Sequence, residues 1–190
     1  FLFLPYYLQI TLGYSQLLTG VAFLPVPIAL VTSAVFIGPS LTSKFTARPV
    51  IPLGLTIAGV GALLLVRLGA TATYVTDLLP SLLLIGAGIG LVVATATGSA
   101  TADVDPADAG AAAASVNAAQ QIGGSVGVAV LSTIAGSAAA AFLAEHPGQE
   151  TVSPVYGYAT AYAGVSILFL MGALLALVIH PKKSRSEEHT

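Results

Sequence analysis

Apolar residues run along this chain in long blocks. Stretches at roughly residues 18–37, 49–68, 78–102, 109–141 and 157–180 carry almost no charge, and a sixth block opens at Phe1. A helix needs about 20 apolar residues to cross a hydrocarbon layer of roughly 30 Å, and soluble cores do not repeat blocks of that length. The pattern predicts an all-α integral membrane protein of five complete spans and one truncated span, with the lipid bilayer as its first partner. The polar breaks are short, so no soluble domain is expected between the spans.

Composition points the same way. The chain is 56% hydrophobic and 7% charged, with a mean hydropathy of +0.92, whereas ordinary globular domains are about a quarter charged. A net charge of −2 argues against a nucleic-acid partner. The absence of cysteine excludes disulfides, thiol catalysis and thiolate metal sites. His146, His180 and His189 fall in loops or at a helix end, so neither a metal site nor a cofactor is expected. No Asp, Glu, Lys, Arg or His lies in the middle of a complete span. A hydrolase, protease or metal-dependent membrane enzyme needs such groups, so the chain reads as a non-enzyme.

Both ends carry expectations of their own. Phe1-Leu2-Phe3-Leu4 lies inside an apolar run with no initiator Met and no basic stretch before it, which reads as a span whose beginning is missing rather than a signal peptide. Residues 1–183 then form one helical unit. The last residues, 184–190, read as a foreign or disordered tail: Arg185-Ser186-Glu187-Glu188-His189-Thr190 resembles the translation of a sequencing adapter.

Basic residues set the threading. Lys44 and Arg48 occupy the loop after the first complete block, and Lys182 and Lys183 follow the last. Placing both groups in the cytoplasm satisfies the positive-inside rule and puts the C-terminus there too. Strict alternation then places the 101–108 loop inside and the 11–17, 69–77 and 142–156 loops outside. Arg67, near an outer end, is left to snorkel. Asp105-Pro106 predicts a helix start, with a carboxylate at the cap and proline in the first turn. From Pro106 to Phe142 that helix would be about 55 Å long, and Gly123-Gly124 is the expected bend. Pro25 and Pro27 predict a kink in the first complete span.

Polar groups inside the spans are few. Asn117, Gln120 and Gln121 share one face of the fourth complete block, at helical spacings of three and four. Three amides are costly to expose to lipid, so this face turns either to a solute cavity or to other helices as hydrogen-bonding glue worth about 0.6 to 2 kcal/mol per contact. Tyr6, Tyr7 and Gln9 close the truncated block, as an interfacial aromatic belt or as the mouth of a cavity. Thr95, Thr97 and Ser99 carry less weight, because hydroxyls bond to their own helix. Gly86 with Gly90, and Gly123 with Gly127, form two G-x-x-x-G pairs that predict a packed seam between the third and fourth complete spans. The run Gly86-Ala87-Gly88-Ile89-Gly90 lacks the spacing of a dinucleotide fingerprint.

Several segments together resemble a known family. Phe3-Leu4-Pro5-Tyr6-Tyr7-Leu8-Gln9, Leu12-Gly13-Tyr14-Ser15, Leu18-Thr19-Gly20 and Phe23-Leu24-Pro25 are similar to the end of the seventh core helix and the following loop in multidrug exporters of the major facilitator superfamily. The fourteen-span drug:proton antiporter group (EmrB/QacA type) is the nearest in pattern. Leu41-Thr42-Ser43-Lys44-Phe45-Thr46-Ala47-Arg48-Pro49 resembles the C-terminal copy of that superfamily's basic cytoplasmic loop, with Ser43 where an acid and Thr46 where a glycine is usual. Val104-Asp105-Pro106-Ala107-Asp108-Ala109-Gly110, leading into Asn117-Ala118-Ala119-Gln120-Gln121-Ile122-Gly123-Gly124, is the most family-specific run.

The resemblance implies a six-helix C-terminal half, partnered by a missing N-terminal half of the same chain in a bacterial plasma membrane. It further implies proton-coupled export of small amphipathic compounds by alternating access. The residues themselves leave room for a facilitator-type importer of small solutes or a non-transporting membrane scaffold subunit.

Overall fold

A computed structural model describes residues 3–45, 47–68, 72–102, 104–105, 107–150 and 152–179, and the described residues that form regular structure are all helical. Thr46, Pro106, His180, Lys182, Lys183 and the tail 184–190 lie outside them.

The blocks become helices for the reason that formed the expectation: apolar side chains face lipid or one another, and each backbone polar group finds its partner within its own helix. A short α1 (Phe3–Tyr6) passes into a π-helical turn at Tyr7–Thr11. The first complete span is built from α2 (Gln16–Phe23), α3 (Pro25–Thr32), a π-helical turn at Ser33–Ile37 and α4 (Gly38–Lys44). Then follow α5 (Ala47–Leu65), α6 (Leu79–Ala102) behind a π-helical turn at Tyr74–Leu78, α7 (Ala109–Glu145) and α8 (Ser153–Ile179). Five of these helical stretches are long and apolar enough to cross a membrane.

Prolines interrupt the first span where expected. The ladder tightens at Leu24, whose N–H reaches Val21 O at 3.1 Å, and Pro25 opens α3 without an N–H to lose. The expected bend at Gly123-Gly124 has no counterpart in the backbone ladder, because α7 runs uninterrupted through both residues; glycine loosens a helix without removing its N–H. The start of α7 also departs from expectation. Asp105 closes a turn, with its Oδ1 accepting from Ala107 N at 3.0 Å and its carbonyl from Asp108 N at 2.8 Å, and the helix proper begins only at Ala109.

The helices pack in the spatial order α3, α6, α5, α8, α7. Close approach is bought by glycine. Gly54 of α5 faces Gly88 of α6, where an added Cβ on Gly54 would stand 2.8 Å from Gly88 O. On the other side of α6, Gly86 and Gly90 lie against the carbonyls of Val26 and Leu30 in α3. Residues two apart are about 200° apart around a helix, so the three glycines of Gly86-Ala87-Gly88-Ile89-Gly90 serve two neighbours on opposite faces. The seam expected between the third and fourth complete spans is therefore replaced. Gly86 and Gly90 meet α3, and a Cβ on Gly123 or Gly127 would meet nothing within 4 Å.

Hydroxyl groups stitch the helices together. Ser33 donates to Ala87 O at 2.7 Å, Tyr74 to Ala22 O at 2.7 Å, Ser166 to Gly59 O at 2.9 Å and Ser153 to Ala139 O at 2.7 Å. The main hydrophobic cluster gathers Leu4, Tyr7, Leu8, Leu65, Leu68, Leu78 and Tyr162 at the end of the bundle where Arg67 stands. Lys44 and Arg48, at the other end of α5, close the opposite side.

Candidate functional site: the splayed face of α7

α7 and α8 are antiparallel neighbours that touch most closely near one end. An added Cβ on Gly157 would stand 2.5 Å from Ala135 O, and Leu131 leans on Gly164. Toward the start of α7 the two helices part, leaving a groove of about 330 Å³ lined by Gly123, Gly124, Gly127, Val128 and Leu131 on α7 and by Val165, Leu168 and Phe169 on α8.

Helical spacing continues this stripe beyond the groove. Asn117, Gln121, Gly124, Val128, Leu131 and Ala135 follow one another at intervals of four and three, so the amides extend the groove's own lining by one to two turns. Asn117, Gln120 and Gln121 are all exposed, and none makes a hydrogen bond to another described residue. Among the described residues their side chains bridge to no other helix, and the interhelical links that are present run from hydroxyl to carbonyl. What the stripe presents is an apolar, glycine-floored trough ending in three amides, whose six N–H donors and three carbonyl acceptors are unclaimed among the described residues.

The tyrosine group does not join it. Tyr7 is buried in the cluster with Tyr162 and Leu65, while Tyr6 and Gln9 are exposed. Asn117 lies 18 residues from Ala135, about 27 Å along the helix, so amides and tyrosines stand toward opposite ends. Lys44 is exposed in the last turn of α4, where a cation complements the helix dipole, and Arg48 is half-buried at the start of α5. Thr95 is buried with an unpartnered hydroxyl, and Thr97 O accepts from Thr101.

Sequence reasoning missed two features: Gly157 and Gly164, which let α8 approach α7, and Tyr162, which is 7% exposed with a hydroxyl unpartnered among the described residues. Glycine spacing on α8 was a usable signal for the first. Nothing in the pattern distinguishes Tyr162 from the other aromatics of its helix.

Comparison with known proteins agrees with this architecture. The chain is 43% identical over its whole length to a puromycin resistance protein of Streptomyces alboniger, of which it covers 39%. It is 31% identical to a cephamycin export protein of Amycolatopsis lactamdurans, with 97% of this chain and 36% of that one aligned. Against a probable actinorhodin transporter of Streptomyces coelicolor the identity is 37% over 70% of this chain and 23% of the relative. The chain thus spans about two-fifths or less of the length of these relatives. Residues 1–128 match the profile of the Major Facilitator Superfamily, and with its charge-poor spans, glycine-packed helices and 43% identity to a longer relative, the chain belongs to that superfamily.

Proposed function

We propose that this chain is the C-terminal, solute-handling half of an efflux transporter that exports small amphipathic compounds by alternating access in a bacterial plasma membrane, with a proton as the coupling ion. The observation that carries the reading is the stripe on α7: three amides, exposed and without side-chain hydrogen-bond partners among the described residues, at the end of an apolar groove. Lipid is a poor environment for such a face, and a solute pathway between two halves satisfies it. A few amides in an otherwise apolar trough suit loose recognition of greasy molecules. Relatives named for resistance to, or export of, antibiotics support the outward direction, and the basic pair Lys44 and Arg48 supports a cytoplasmic C-terminus.

The experiment is export of a panel of unrelated compounds by the full-length protein in an efflux-deficient host, normalised to protein level. Asn117→Ala and Gln121→Ala are expected to change which compounds are exported by several-fold, the equivalent of about 0.6 to 2 kcal/mol, with membrane abundance intact. A uniform loss across the panel, matched by lower abundance, would remove the amides from the pathway.

A further inference from the structure

Val165 and Phe169 each border two spaces. One is the α7 groove; the other is a cavity of about 160 Å³ between α1, α5, α6 and α8, whose walls include Ala62 of α5, Ile89 of α6 and Tyr162 of α8. Its lining side chains are hydrocarbon apart from Tyr162, whose hydroxyl is itself closed off from solvent.

The space is partly open rather than sealed, and the atoms around it forgo dispersion contacts that a filling group would restore. Apolar cavities of about 150 Å³ stay dry and accept one benzene-sized guest. The cavity sits between the middle of the helices and the Arg67 end, and the half-buried Phe169 separates it from the groove. Phe169 has the groove on one side, so a rotation of its ring has room to open a passage.

We propose that this cavity is a side chamber of the solute pathway, which receives a single aromatic ring or branched alkyl group of the transported compound through the Val165–Phe169 partition. The proposal rests on the transport reading and deepens it: the preferred solutes are those with one pendant apolar group of ring size on a polar body. Amides on α7 would hold the polar body while the chamber takes the ring.

The test uses the full-length protein and pairs of compounds that share a polar scaffold and differ in carrying a benzyl or a methyl substituent. Ala62→Leu, which fills the chamber, is expected to cut export of the benzyl members by about tenfold or more, the range that hydrophobic pockets achieve, and to leave the methyl members unchanged. Phe169→Ala, which removes the partition without crowding the core, is expected to improve export of bulkier-ring members relative to benzyl ones. Equal loss within every pair, as a permanently bound lipid chain or a purely structural void would give, overturns the proposal. Crystals of the purified full-length protein under xenon supply a readout independent of transport. A xenon atom between Ala62 and Ile89 is expected in the parent and absent in Ala62→Leu; no xenon in the parent means other residues fill the space, and the chamber is refuted. If the parent exports neither member of any pair, the transport reading itself fails, while the xenon result still decides whether the chamber exists.

Discussion

α6 and α7 are nearly the same helix on paper. Both are long, apolar and rich in glycine and alanine, and both carry a G-x-x-x-G pair. In the fold they are opposites: half of the most apolar stretch of the α6 span is buried, against 6% of that of α7. Gly86, Gly88 and Gly90 on α6 are consumed by close contact with α3 and α5, whereas Gly123, Gly124 and Gly127 on α7 floor an open groove. Small residues thus license two outcomes, an intimate helix contact or a smooth-walled trough. The polar residues differ as well: on α6 Ser81 and Thr101 turn their hydroxyls back to helix backbone, and on α7 the amides find no side-chain partner among the described residues.

The comparison breaks or holds most visibly at glycine. Gly88→Leu is expected to abolish most folded full-length protein, because the Gly54 backbone stands where the new side chain must go, and overpacking costs about 1 to 3 kcal/mol even where softer side chains can yield. Gly123→Leu is expected to leave folded yield close to the parent's, since its Cβ meets nothing within 4 Å. Yield and melting temperature measured by fluorescence-detected size exclusion check both, and equal losses at the two positions would erase the distinction between the helices.

A second measurement sharpens it at the level of hydrogen bonds. Ser166→Ala removes the buried link to Gly59 and is expected to cost about 0.6 to 1.5 kcal/mol, visible as a lowered melting temperature. Asn117→Ala, removing an exposed amide without a partner, is expected to melt with the parent. The smallest effect is expected at Tyr162→Phe. Its hydroxyl has no hydrogen-bond partner among the described residues, so its removal forfeits none there, and the melting temperature should stay level or rise slightly. A marked drop would show that the hydroxyl has an acceptor in the full-length protein.

Much of this architecture was legible in the residue pattern, and the reason is the solvent. Lipid forces every span to be an uncharged helix of a minimum length, so the blocks around 49–68, 78–102 and 109–141 announce Arg48–Leu65, Tyr74–Ala102 and Ala109–Glu145 to within a few residues at most ends. Pairing was not legible. A G-x-x-x-G stripe states that a face is flat and not which helix arrives there, which is why Gly86 and Gly90 meet α3 instead of α7. The pairing of Gly54 with Gly88 was not foreseen, because their complementarity exists only between two helices. At Asp105 the side chain favours a local turn over a helix cap, a competition between two short-range bonds that sequence leaves open. The amide stripe was legible as a face because three- and four-residue spacing is intrinsic to a helix; whether that face met protein was decided by the splay of α7 from α8.

That splay makes α7 a lever. Its fulcrum is the contact of Ala135 with Gly157, braced by the Ser153 hydroxyl on Ala139 O, and its free arm carries Asn117 about 27 Å away. A tilt of about 10° at the fulcrum moves that residue by roughly 5 Å, comparable to one helical turn. A small adjustment among alanine and glycine, which offer little side-chain resistance to pivoting, is thereby magnified into a displacement the width of a small molecule at the far end.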